Sequence, residues 1–156
     1  MRIGLISDTH GLLRAEATAF LRGCDHIVHA GDIGGAKILD ALSAIAPLTA
    51  VRGNNDTTGR AASLPESERI RLAGIELLAI HDLGMLGLDP SSAGIRVVVS
   101  GHSHQPSIRR SSGVLFVNPG SAGPRRFRLP VSVAELTIHG EKVSARTVAL
   151  DVQVAR

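Results

Sequence analysis

Three short apolar runs open the chain: Ile3-Gly4-Leu5-Ile6, His26-Ile27-Val28-His29-Ala30 and Leu48-Thr49-Ala50-Val51. Runs of this length, rich in branched aliphatics, read as buried strands. Between them lie two segments of helical spacing. Leu12 to Leu21 places Leu13, Ala17, Phe20 and Leu21 on one face and is stopped by Gly23. Ala36 to Ala46 does the same with Ile38, Leu39, Leu42 and Ile45, and Pro47 closes it. The alternation is β-α-β-α-β. It confines this half of the chain to a parallel sheet with right-handed crossovers.

After residue 60 the pattern changes. Arg69–Leu72 and Ile75–Leu78 flank Ala73-Gly74, and Ser107–Arg110 and Val114–Val117 flank Ser111-Ser112-Gly113. Both are hairpin signals. Between the hairpins, Leu83 to Gly94 reads as a loop or short helix, and Val97–Val99 as a buried strand. Two alternating strands, Ser132–Ile138 and Val143–Val152, end the chain around His139-Gly140-Glu141-Lys142. The pattern predicts an α/β domain with a parallel first half and an antiparallel second half. Two stacked sheets with helices outside bury both. At 156 residues this is one domain with a sizeable core.

Composition narrows the function classes. The formal net charge is +3, which favours anionic partners. There is no Trp or Tyr, and Phe20, Phe116 and Phe127 are the only aromatics, so base stacking on nucleic acid is disfavoured. One cysteine, Cys24, cannot form an internal disulfide and reads as a small buried residue in a reducing compartment. No signal-peptide core and no long apolar run occur, so the expected location is cytoplasmic, without a membrane partner.

The chemistry sits where strands end. Asp8 and His10 follow the first strand, Asp32 the second, Asn54 the third. His81 follows the strand after Gly74, and His102 with His104 follow Val97–Val99. Loops at strand carboxyl ends converge in open α/β folds. Residues two apart on an extended chain point the same way, so His102 and His104 can face one point. Seven oxygen and nitrogen donors exceed a four-coordinate zinc site and suit two metals sharing a carboxylate. Asp32, beside Gly31, is the natural bridge. Carboxylate, amide and imidazole without thiolate suit manganese foremost, with nickel, iron, cobalt or zinc as alternatives.

Asp8-Thr9-His10, Gly31-Asp32, Gly53-Asn54, His81 and Gly101-His102-Ser103-His104, in this order, resemble the calcineurin-type metallophosphoesterase superfamily. With Asn118-Pro119-Gly120-Ser121, the chain is similar to the compact bacterial and archaeal phosphodiesterases related to the retromer scaffold subunit. The resemblance implies a single domain over residues 1–156, a four-layer sandwich of two mixed sheets flanked by helices. It implies two divalent transition-metal ions, one on Asp8, His10, Asp32 and His104, the other on Asp32, Asn54, His81 and His102. The implied reaction is phosphodiester hydrolysis by a metal-bridging hydroxide on a phosphate-ester substrate. The alternative is a catalytically weak protein-interaction scaffold of the same fold. A homo-oligomer is compatible with either.

Two positions depart from the family. Many superfamily phosphatases carry a proton-donating histidine after the motif asparagine, where this chain has Asn55. Asp56 would serve as an acid only with a raised pKa. His81 is followed by Asp82 in place of glycine, which suggests a carboxylate partner for a ligating histidine. Asn118 either orients a phosphate or shapes the turn before Pro119, and Arg125-Arg126-Phe127-Arg128 reads as a solvated basic loop or, with Arg125 foremost, a phosphate clamp. His26 and His29 read as structural, and His139 as solvated. Arg109 and Arg110 alternate on a strand, so at least one faces solvent.

Overall fold

The computed structural model describes residues 1–126 and 128–152. Phe127 lies outside them. Strands β1 (Arg2–Ile6), β2 (His26–His29) and β3 (Leu48–Ala50) pair in parallel, with Ile3 beside His26 and Ile27 beside Leu48. Helices α1 (Ala15–Leu21) and α2 (Ala36–Ser43) make the crossovers. Strands β9 (Ser132–His139) and β10 (Lys142–Ala149) add antiparallel to β1, giving the order β10-β9-β1-β2-β3. Helix α1 begins three residues later than the periodicity suggests. The amide of Gly11 is bonded to Ile33 O and that of Leu12 to Thr9 O, so this stretch belongs to the loop. A one-turn helix α3 (Gly59–Ala62), too short to leave a period, follows β3.

The second sheet corrects the expectation of an antiparallel second half. Its order is β4-β5-β6-β8-β7, from β4 (Ser67–Leu72), β5 (Ile75–Ile80), β6 (Val97–Val99), β7 (Ser107–Ser111) and β8 (Val114–Asn118). The two hairpins form as expected, β4 with β5 and β7 with β8. Yet β5, β6 and β8 are mutually parallel, Leu77 beside Val97 and Val97 beside Leu115. Val97–Val99 is apolar on both faces and fully buried, so it takes the centre and each hairpin adds at a side.

Three apolar clusters hold the layers. Ile3, Leu5, Val28, Leu77, Val97, Val99, Leu115 and Leu136 interlock between the sheets. Leu21, Ile38, Leu39 and Leu42 cover the outer face of the first sheet through Ile6, Ile27 and Val133. Outside the second sheet the cover is not a long helix. A 3-10 turn at Leu83–Met85 and the loop after it lay Leu83, Leu86, Ala93 and Ile95 over Leu78, Ile80 and Val98. Burying one leucine contributes about 2 kcal/mol, so these clusters fix how the sheets stack. That stacking sets the distance between their loops. No helix among the described residues is long and apolar enough to cross a membrane.

Candidate metal centre

Six parallel strands, three in each sheet, direct their carboxyl ends to one side of the sandwich. The loops there are tied backbone to backbone. Asp8 N–H donates to Gly31 O, and His10 N–H to Asp32 O, both at 2.9 Å. Gly101 N–H donates to His81 O at 3.0 Å. Gly31 lets the two sheets touch: with φ +104°, it leaves space where a Cβ would sit 2.7 Å from His81 Nδ1. Five candidate residues, Asp8, His10, Asp32, His102 and His104, hold positive φ between 45° and 72°. For non-glycine residues this conformation is costly, and it concentrates where side chains must be aimed.

All seven predicted donors come together. Asp8 is fully buried, and its Oδ2 accepts from Ser7 Oγ at 2.7 Å and from His102 N–H at 3.2 Å. Its Oδ1 lies 3.5 Å from His104 Nε2, 3.8 Å from His10 Nε2 and 3.9 Å from His81 Nε2. Asp32 Oδ2 stands 3.6 Å from His10 Nε2 and 3.3 Å from His81 Nε2, between the two histidine groups. His81 Nδ1–H donates to Ala30 O at 2.7 Å, so Nε2 is the ring nitrogen turned to the site. That nitrogen stands 3.0 Å from Asn54 Oδ1, and Asn54 Oδ1 also stands 3.2 Å from His102 Nδ1.

Carboxylate, amide and imidazole groups converging on one point are the donor types that hold a divalent cation. Asp8 Oδ1 and His104 Nδ1 are the buried side-chain atoms without a hydrogen-bond partner among the described residues. Donor atoms of Asp8, His10 and His104, and of Asp8, Asp32 and His81, lie within 4.8 Å of one another. The donor set therefore fits divalent metal. Burial pushes the Asp8 carboxyl up from its ordinary pKa, against the Ser7 hydrogen bond and the imidazoles. At Asp32 burial acts the same way, but the His81 imidazole and the Asn55 amide outweigh it and hold the carboxyl well below its usual range.

The supporting residues separate into roles. Asn55 donates its backbone N–H to Asp32 Oδ1 (2.8 Å) and its side-chain amide to Asp32 Oδ2 (3.0 Å). Asp56 is no acid poised at the mouth. Its buried carboxylate accepts from Ile33, Gly34 and Gly53 N–H and buckles the Asp32 loop to the Asn54 loop. Asp82 leans on His102, with Oδ2 3.9 Å from Nε2, while its Oδ1 caps the 3-10 turn at Gly84 N–H. Asn118 donates to Gly101 O (3.0 Å) and Ser103 Oγ (3.1 Å) and accepts from Gly120 N–H, so it shapes the His102 loop.

Fully buried His29 is structural. Gly31 N–H donates to its Nδ1, so its Nε2–H donates to Thr9 Oγ1, which in turn donates to Ile33 O. Burial drives its pKa down to about 3. His26 bonds Thr49 Oγ1 at 2.8 Å, and Cys24 is buried. His139 is exposed. In the basic run, Arg125 is exposed, and it is the charge of its neighbour Arg126 that reaches His104. Sequence spacing alone does not separate the two.

The motif order and this geometry agree with comparisons to known proteins. The description "Calcineurin-like phosphoesterase superfamily domain" matches residues 1–141. The chain belongs to the calcineurin-like phosphoesterase superfamily. A probable metallophosphoesterase of Methanothermobacter thermautotrophicus is 37% identical, covering 100% of this chain and 96% of that protein. Vacuolar Protein Sorting 29 from Cryptosporidium parvum superposes with a TM-score of 0.83 at 19% identity, over 96% of this chain and 91% of that one. A novel archaeal phosphodiesterase superposes at 0.78 and 20% identity, over 95% and 100%. These two establish the fold. As a superfamily member with close metallophosphoesterase relatives, the protein is a phosphoester hydrolase whose Asp and His groups suit divalent metal.

Proposed function

We propose that the protein hydrolyses phosphodiesters with two divalent ions. Asp8, His10, Asp32 and His104 would hold one, and Asp32, Asn54, His81 and His102 the other. The observation that carries this reading is the convergence of His81 Nε2, Asn54 Oδ1 and Asp32 Oδ2 beside the unpartnered Asp8 Oδ1. When bound, such a pair supplies Lewis acidity to the phosphoryl oxygens and an activated water for attack on phosphorus.

The chain's own residues do the remaining work. Ala30 O takes the His81 Nδ1–H, so Nε2 is the nitrogen that would ligate a metal. Asn55 orients Asp32 through both its amides. Asn54 and His102 lie exposed at the rim, where an ester's oxygens arrive. Asn118 holds the His102 loop, and Arg126 adds positive charge on the His104 side. No imidazole follows Asn54 to protonate a poor leaving group, which favours diesters with good leaving groups over monoesters. An intact donor set on both sheets favours catalysis over a scaffold role, because a scaffold needs none of it.

The test is hydrolysis of bis(p-nitrophenyl) phosphate and p-nitrophenyl phosphate after chelation and readdition of single metals, manganese first. Wild type should regain diester turnover above monoester turnover, and Asn54→Ala should lose it. No turnover with any metal, despite stoichiometric metal uptake, would sink the reading in favour of the scaffold.

A further inference from the structure

Arg109 presents an unpaired guanidinium beside the centre. On β7, Arg110 reaches back to Val143 O at 2.8 Å, while Arg109 crosses to its strand partner Phe116 and stacks 4.2 Å above the ring. Arg52 and Arg14 are engaged by contrast: Arg52 bonds Glu66 and Ala62 O, and Arg14 bonds Gly123 O. Arg109 makes no hydrogen bond or ion pair among the described residues. A guanidinium held by its face keeps its edge N–H groups for an acceptor.

Arg109 lines a cavity of about 220 Å³ together with Ser103, Asn118 and His102. Ser103 Oγ accepts from Asn118 Nδ2 and from Gln105 N–H, so its own proton is left to donate. Asp82 also lines the cavity, but its Oδ1 takes Gly84 N–H and its Oδ2 faces His102. The larger cavity on the other side of His102, about 610 Å³, has its arginine, Arg52, already paired, and Ile80, Ala62 and Met85 in its wall. Two unlike spaces therefore flank one centre.

We propose that the smaller cavity is an anion subsite, in which Arg109 and Ser103 bind a second negative group carried by the substrate a few bonds from the reacting phosphorus. The substrate class is a phosphoester with one arm bearing a carboxylate or second phosphate. The proposal rests on the phosphoesterase reading for its reacting phosphorus.

Two phosphonates of matched length test it by calorimetric titration of the metal-loaded protein: propylphosphonate and 3-phosphonopropionate, which carries a carboxylate in place of the terminal methyl. Wild type should bind the second about tenfold more tightly, the size of one charge-assisted contact. Arg109→Ala should reduce that ratio to below about twofold. Arg109→Lys, which keeps charge without the stacked fork, should retain only part of it. Equal affinities in wild type, no binding of either, or an advantage surviving Arg109→Ala overturns the subsite. If the advantage holds while no metal restores hydrolysis, the subsite stands and the phosphoesterase reading fails.

Discussion

The two parallel trios, β1-β2-β3 and β5-β6-β8, make opposite contributions to one site. Of the proposed ligands, the first brings every oxygen, from Asp8, Asp32 and Asn54, with His10 beside them; the second brings only nitrogen, from His81, His102 and His104. Neither trio holds a charge-balanced set alone. The centre exists because the apolar layer between the sheets stacks them. Removing one donor from each side sharpens the contrast. Asp32→Ala should lower metal-dependent turnover by on the order of 10³ or more, as should His81→Ala. Metal analysis separates them: Asp32, lying between both histidine groups, should cost both ions and His81 only one. Equal metal content in the two variants would break the assignment of Asp32 as the shared ligand.

The trios touch at Gly31. A Cβ there meets the His81 ring and Gly53 N, and φ +104° is hostile to any side chain. Gly31→Ala should destabilise by roughly 2–4 kcal/mol. Gly23 is the control. Its φ is also positive, at 82°, but nothing lies within 4 Å of an added Cβ, so Gly23→Ala should cost only about 1 kcal/mol. Urea midpoints of the two variants measure the difference, which is the contact between the sheets. Equal losses would mean that backbone strain alone sets the effect.

The trios also differ in how far they can be read from sequence. Helical spacing between apolar runs specifies parallel pairing for β1, β2 and β3, because a crossover needs a helix-length segment. The link from β5 to β6 carries only a 3-10 turn, and β7 intervenes before β8. Hairpin signals announce their own pairs and say nothing about the three-residue β6 that joins them. The seven donors were legible because each ends a strand. His29 was legible as structural and Asn118 as a turn-shaping alternative, but their partners, like those of Asp56, are backbone groups and hydroxyls brought close only by folding. Arg109 showed only an alternation, and Phe116 decided its direction.

His29 joins the first trio's loops by staying neutral, and acid should loosen that trio selectively. The unfolded chain takes up the histidine proton below its ordinary pKa near 6.5, whereas the folded chain does so only near 3. Between these values the unfolded state binds more protons, so stability is full above 6.5 and falls as pH drops. Its share of the loss between pH 7 and pH 5 is at most about 2 kcal/mol. Urea midpoints on chelated protein should show a steeper fall for wild type than for His29→Gln. Identical slopes would remove His29 as the acid-sensitive joint.

The smallest effect tests the strain that the second trio carries away from the site. Ala73 (φ 50°) and Ser112 (φ 50°) hold positive φ in the hairpin turns, each followed by a glycine of positive φ. Two such residues in sequence form the tight turn whose twist matches the strands, and asparagine adopts the first position more readily than alanine. Ala73 is exposed, so nothing but the turn depends on it. Ala73→Asn should therefore raise stability by about 0.5–1 kcal/mol, read as a later urea midpoint, and leave turnover unchanged. Relief is possible there because strand twist alone imposes the conformation. At Asp8, His10, Asp32, His102 and His104 the same conformation aims a proposed ligand, and relaxing it should release the site. A destabilised Ala73→Asn would show that the turn, too, is held by something beyond its own twist.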